Sequence, residues 1–98
     1  MDEQIASVTN QVKHLGKRLT IQRRAVLRHM LTSHHRPTAK DVYHALKKEM
    51  PNITLSTVYT SLRLLVKMGV VKEHVNGDSP NRFEPLLNLD STELKEVM

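Results

Sequence analysis

Residues 54–84 read TLSTVYTSLRLLVKMGVVKEHVNGDSPNRFE, and the expected fold follows from this stretch. Its apolar residues recur at spacings of three and four positions, at Leu55, Val58, Leu62 and Leu65. This period predicts a helix with one apolar face, capped at its start by Thr54 or Ser56. The helix is predicted to run to Met68, because Gly69 can take the left-handed conformation that ends a helix.

A β-hairpin is predicted directly after this helix. Residues 70–75 form a run with high strand propensity, and residues 80–84 are expected to return as the partner strand. Between them, Asn76 and Gly77 form a pair that favours a tight turn.

Three further helices are predicted upstream. The first spans roughly residues 3–15, where apolar positions again recur at spacings of three and four. The second follows a cap at Thr20, and the third begins at Thr38, where Asp41 completes a sequence resembling a capping box, and stops at Pro51. We therefore expect a mostly α fold with a small β-hairpin: a winged helix-turn-helix of four helices followed by a two-stranded wing.

The chain of 98 residues is long enough for one domain. Residues 1–84 are expected to form the winged-helix domain. The composition shifts in the tail, residues 85–98, which is expected to form a short helix.

Positive charge is concentrated in the first half of the chain. The net charge is +5, and no acidic residue occurs between Gln4 and Lys40. Such an asymmetry is typical of a protein that binds a polyanion, although a solvated basic face would look the same.

Composition also argues against several classes of protein. The chain has no cysteine, which excludes disulfides, thiolate metal sites and cysteine nucleophiles. No apolar run approaches the ~20 residues that a membrane span needs, and the polar start is unlike a signal peptide. No phosphate loop or nucleophile–base pair is recognisable. We therefore expect a cytoplasmic protein that is not an enzyme and has no membrane partner.

The polar side of the last helix suits a duplex groove. On a helical wheel, one face collects Ser56, Tyr59, Thr60, Arg63 and Lys67, with Thr57 beside them near the helix start. Hydroxyls can bind phosphate, Arg63 can fork onto guanine, and Tyr59 can touch a thymine methyl. The alternative is an ordinary solvated face with Tyr59 half-buried at the core edge.

Other basic residues complete the candidate interface. Lys17 and Arg18 flank the junction of the first two helices and could enter a minor groove. Arg23 lies early in the second helix, and Lys72 and Arg82 lie on the wing. Residues 1–84 are therefore expected to be a winged-helix DNA-binding domain, and the expected partner is double-stranded DNA.

Two alternatives stay open for this surface. Winged helices also bind proteins, and Leu64 is expected to point away from the core stripe, where it could serve such a contact. The same basic face could bind RNA or nucleic acid without sequence preference, although a recognition helix suits the major groove of B-DNA better.

Five separated motifs resemble one known family, the Fur superfamily of bacterial ferric-uptake and peroxide-stress (PerR-like) repressors. They are LTIQR at 19–23, PTAKDVY at 37–43, STVY at 56–59 followed by Leu62 and Arg63, GVV at 69–71 and RFE at 82–84. The resemblance covers roughly residues 5–84. It implies a winged-helix repressor that reads A·T-rich inverted repeats as a homodimer. It also implies that Arg18 probes the minor groove and that Tyr59 contacts bases in the major groove.

The resemblance further implies metal binding in full-length relatives, which use a regulatory Fe²⁺ or Mn²⁺ and often a structural Zn²⁺. It also implies that family members continue into a C-terminal dimerisation domain. Residues 85–98 would then be the start of a missing dimerisation domain in a piece of a longer protein, or the end of a naturally shortened relative. This chain departs from the metal-binding pattern. It has no cysteine, and Arg36 stands where the family has a regulatory-metal histidine, although Glu84 matches the partner carboxylate. We therefore expect no cofactor in this chain, with His35 and Glu84 as weak candidates for a residual metal site.

Overall fold

The computed structural model describes residues 2–14, 20–33 and 35–86. It contains four helices, α1 (Asp2–His14), α2 (Ile21–Leu31), α3 (Ala39–Lys47) and α4 (Leu55–Lys67), followed by the antiparallel strands β1 (Val71–Asn76) and β2 (Ser79–Pro85). The expected mostly α winged helix-turn-helix is confirmed. The predicted end of the first helix near Gly16 and most of the tail lie outside the described residues.

Threonines cap three of the helices. Thr20, Thr38 and Thr54 each accept a hydrogen bond at 3.1 Å from the backbone N–H three residues later. At α3 the contact is reciprocal, because the Thr38 N–H donates to Asp41 Oδ2 at 3.0 Å. The predicted capping box is therefore confirmed, and Thr54, rather than Ser56, caps α4.

The pH dependence of stability reports on this capping box. The hydrogen bond from the Thr38 backbone lowers the pKa of Asp41 below its ordinary value. A lowered pKa in the folded state stabilises the fold above the unfolded pKa, and this contribution disappears as the pH falls through the folded pKa. Asp41→Asn is therefore expected to have a lower free energy of unfolding than the wild type at pH 7. This difference in free energy is expected to narrow below about pH 4, where Asp41 becomes protonated in the wild type. Urea denaturation at several pH values measures it, and a difference independent of pH would contradict the prediction.

α4 lies at the centre of the core. It packs against α2, α3 and β1, and Val58, Leu62 and Leu65 are buried as predicted. The prediction that Leu64 points away from the core is wrong, because its side chain is only 8% exposed. The buried side of α4 is therefore wider than the predicted apolar face, because α2, α3 and β1 cover the helix from more than one direction.

Gly69 turns the chain from α4 into the hairpin. The Gly69 N–H donates to the Val66 carbonyl and the Val70 N–H to the Leu65 carbonyl, both at 3.0 Å, and Gly69 has a φ of 78°. This pair of bonds is a Schellman motif, which favours glycine because a side chain is strained at positive φ. The predicted helix end is confirmed.

The hairpin turn lies one residue later than the Asn-Gly pair suggests. Asn76 pairs with Ser79, so the two-residue loop is Gly77-Asp78. Gly77 has a φ of 63°, which fits the first central position of a type II′ turn. The glycine is therefore used as predicted, but Asn76 belongs to β1.

The hairpin is tied to the helices through β2. The Phe83 N–H donates to the Pro37 carbonyl at 2.9 Å, and Thr38 forms an isolated β-bridge with Arg82. Strand alternation gives the hairpin two faces. The α4 face consists of Val71, Glu73, Asn81 and Phe83, and the loop face, turned towards the α2–α3 connection, consists of Lys72, His74, Arg82 and Glu84.

Among the described residues, none of the helices is both long and apolar enough to cross a membrane.

Candidate nucleic-acid interface

The polar row predicted on α4 is exposed. Its members are Ser56, Tyr59, Thr60, Arg63 and Lys67, and the buried residues of α4 occupy the opposite side. Tyr59 is 38% exposed, so it is partly covered at the core edge, as the alternative interpretation expected, and part of it remains open to a partner. One helix face therefore presents hydroxyls, an aromatic ring and two cations to a partner.

Two hydroxyls near the start of α4 are engaged by the helix itself. The Thr60 hydroxyl donates to the carbonyls of Ser56 and Thr57, at 3.1 and 3.0 Å. Thr57 Oγ1 accepts a hydrogen bond from the Thr54 hydroxyl at 3.0 Å. Thr57 therefore contributes to the helix cap, and Thr60 would have to rotate its hydroxyl away from the backbone to donate to a phosphate.

A basic pocket joins α2 to α4. It is lined by Arg23, Thr60, Arg63, Leu64 and Lys67. The structure thus brings Arg23, which the sequence placed on a separate helix, beside the polar row. Three cations at one pocket form a site of positive potential that suits a phosphate group.

Arg63 also contacts the hairpin. Its Nη2 lies 3.8 Å from Glu73 Oε2, and the Asn81 side-chain amide donates to the same oxygen at 2.8 Å. Sequence reasoning missed Glu73 and Asn81. The signal that could have found Glu73 is strand alternation, which places it on the same face as the buried Val71 and therefore towards α4.

The wing cations do not join the polar row. Lys72, His74 and Arg82 lie on the loop face, and Arg82 Nη1 donates to the Arg36 carbonyl at 2.9 Å. Lys72 is exposed and lies opposite Glu84 in the strand register. Lys17 and Arg18 lie outside the described residues.

The loop face holds a carboxylate with two partners. His74 Nε2 donates to Glu84 Oε1 at 2.7 Å, and Arg36 Nη2 lies 3.6 Å from Glu84 Oε2. The hydrogen bond from His74, followed by the charge of Arg36, lowers the pKa of Glu84 below its ordinary value. Glu84 therefore balances part of the positive charge of this face.

This arrangement does not fit a regulatory metal site. A guanidinium repels a cation, and Arg36 lies where the family resemblance places a histidine ligand. His35 is exposed, and its backbone groups bond to the Ser33 hydroxyl. Within the described parts of the chain, no cluster of three or more His, Cys, Asp or Glu residues could hold a metal ion.

Comparison with known proteins shows one consistent similarity. Residues 14–94 match the model of the ferric uptake regulator family. The chain is 43% identical over 84 residues to the peroxide-responsive repressor PerR of Staphylococcus aureus, an alignment that covers 86% of this chain and 54% of that protein. The chain therefore spans about half the length of the curated relatives that it matches.

Solved structures share the fold. PerR from Streptococcus pyogenes superposes with a TM-score of 0.76 at 28% identity, over 84% of this chain and 56% of that one. A zinc uptake regulator in complex with zinc and DNA superposes with a TM-score of 0.69 at 27% identity, over 86% of this chain and 54% of that one.

Proposed function

Because the chain belongs to the ferric uptake regulator family, we propose that it is the DNA-binding part of a transcriptional repressor. In this proposal α4 enters the major groove of duplex DNA and reads an A·T-rich operator. The observation that carries the proposal is the exposed row on α4, in which an aromatic ring and an arginine project from one helix face beside a pocket of cations.

Each part of this surface has a task in the proposal. Tyr59 and Arg63 contact base edges, because a tyrosine ring can pack on a thymine methyl and a guanidinium can fork onto guanine. Arg23, Lys67 and the N-terminal backbone of α4 bind phosphates, which set the register of the protein on the duplex. Lys17 and Arg18 are proposed to reach an adjacent minor groove.

The wing has a smaller part in the proposed contact. Lys72 is exposed and can reach a phosphate beside the recognised groove. Arg82 is held by the Arg36 carbonyl, so a phosphate would have to compete with that hydrogen bond. We therefore assign Lys72, rather than Arg82, to the backbone contacts of the wing.

The repressor is proposed to act as a pair of copies on an inverted repeat, because a two-fold partner raises the affinity of each half-site contact. The Staphylococcus aureus relative is a peroxide-responsive repressor, which supports a role in transcriptional control. The alternative of a protein-interaction module rested on an exposed Leu64. Leu64 is buried, so this residue does not support that alternative.

A mobility-shift titration tests the proposal. The 98-residue chain is titrated with an A·T-rich inverted-repeat duplex and with a scrambled duplex of the same composition. We expect preference for the repeat and, with about four to six phosphate contacts, a fall in affinity of about 10²- to 10³-fold between 50 and 200 mM salt. Equal affinity for the two duplexes at moderate salt would contradict sequence-specific recognition.

A further inference from the structure

We propose that Glu73 is a specificity-determining residue that positions Arg63 for its contact with duplex DNA, an inference that rests on the proposed function. Glu73 does not belong to the polar row of α4. It lies on the α4 face of the hairpin, and it would act on DNA recognition through the arginine that it holds.

The contacts form a chain across three elements. Asn81 on β2 donates to Glu73 Oε2 on β1, and the same oxygen lies 3.8 Å from Arg63 Nη2 on α4. The Glu73 side chain is 19% exposed, whereas that of Arg63 is 63% exposed. The carboxylate is therefore held by the sheet, and it restrains a guanidinium that remains open to solvent.

Restraint of this kind lowers the entropic cost of binding. A free arginine side chain samples many rotamers, and ordering it at an interface costs on the order of 1 kcal/mol. The ion pair joins Glu73 Oε2 to Nη2 at 3.8 Å, and the guanidinium has five N–H donors in all, so it can still donate to a base edge. Part of the entropic cost of ordering Arg63 is therefore already incurred in the free protein.

The same carboxylate opposes contacts that do not require a matching sequence. A phosphate that draws Arg63 towards the DNA backbone must compete with Glu73 for the guanidinium, and it is repelled by the negative charge of Glu73. A guanine edge has only the partial negative charges of its O6 and N7 acceptors, so the repulsion by Glu73 is weaker there than at a phosphate. Glu73 thus weakens binding to arbitrary DNA more than binding to the operator, which is how repulsive elements raise specificity.

The test measures the ratio of affinities for the A·T-rich repeat and for the scrambled duplex. Glu73→Gln keeps an oxygen acceptor for the Asn81 amide but removes the charge. We expect tighter binding to the scrambled duplex and a ratio lower by about threefold to tenfold. The same substitution in an Arg63→Ala background is expected to leave the ratio unchanged, because the residue on which Glu73 acts is then absent.

The controls separate this role from folding and from net charge. Glu3→Gln makes the same charge change at an exposed position of α1 and is expected to leave the ratio unchanged. The melting temperature of Glu73→Gln is expected to stay near that of the wild type. An unchanged ratio in Glu73→Gln, or an equal effect in the Arg63→Ala background, would overturn this inference alone. A wild-type chain that does not discriminate between the duplexes would overturn the proposed function instead.

Discussion

Arg63→Ala is expected to lower the affinity for the A·T-rich repeat by about tenfold to a hundredfold, while the affinity for scrambled DNA falls much less. The physical reason is the loss of the forked contact that we propose between Arg63 and a base edge, since such a contact discriminates between bases by about 1–3 kcal/mol. Tyr59→Ala is expected to act in the same direction through the loss of the apolar contact that we propose with a thymine methyl. Fluorescence anisotropy with both duplexes at one salt concentration measures the two effects.

The matched control for this prediction is Arg28→Ala. Arg28 is an exposed cation on α2, so its removal changes the net charge by the same amount as Arg63→Ala. It lines a different pocket, between α2 and α3, away from Arg63 and Lys67. Equal losses of affinity in Arg28→Ala and Arg63→Ala would show that only total charge matters, and they would contradict recognition by α4.

Phe83→Ala is expected to have the largest effect on stability. Phe83 is fully buried, and its backbone N–H connects the hairpin to Pro37. Removing a buried aromatic side chain costs about 3–5 kcal/mol, a large part of the ~5–15 kcal/mol that stabilises a domain of this size. Thermal unfolding followed by circular dichroism is expected to show a midpoint lower by roughly 15 °C or more.

Two further variants show whether this loss comes from the cavity. Phe83→Leu retains most of the apolar volume and is expected to cost much less than the alanine variant. Val75→Ala removes an apolar side chain from the same hairpin at a position that is 76% exposed, and the expected change is within about 0.5 kcal/mol. A Phe83→Ala midpoint close to the wild-type value would contradict the assignment of Phe83 to the core.

Much of the fold was predictable because its signals are local. The caps at Thr20, Thr38 and Thr54 and the helix end at Gly69 each depend on residues within about five positions of one another. Backbone geometry alone relates such residues, so the sequence pattern carries the information. The apolar period of α4 likewise predicted which of its faces is exposed, and with it the polar row.

Other features depend on which elements pack together. The pairing of Arg63 with Glu73, the hydrogen bond of Arg82 to the Arg36 carbonyl and the burial of Leu64 join or cover residues from different elements. Neither a helical period nor a charge count gives the position of a second element. The sequence accordingly predicted the cations of the wing but not their contacts, such as that of Arg82 with the Arg36 carbonyl.

From the order of its residues, this chain forms four helices and a hairpin, and α4 has one polar side. Only the packing of α2, α4 and the hairpin gathers Arg23 with Arg63 and Lys67 and sets Glu73 against Arg63. The reason is that a residue's secondary structure depends mainly on its neighbours along the backbone. The residues that its side chain contacts depend instead on surfaces that meet only when the core packs.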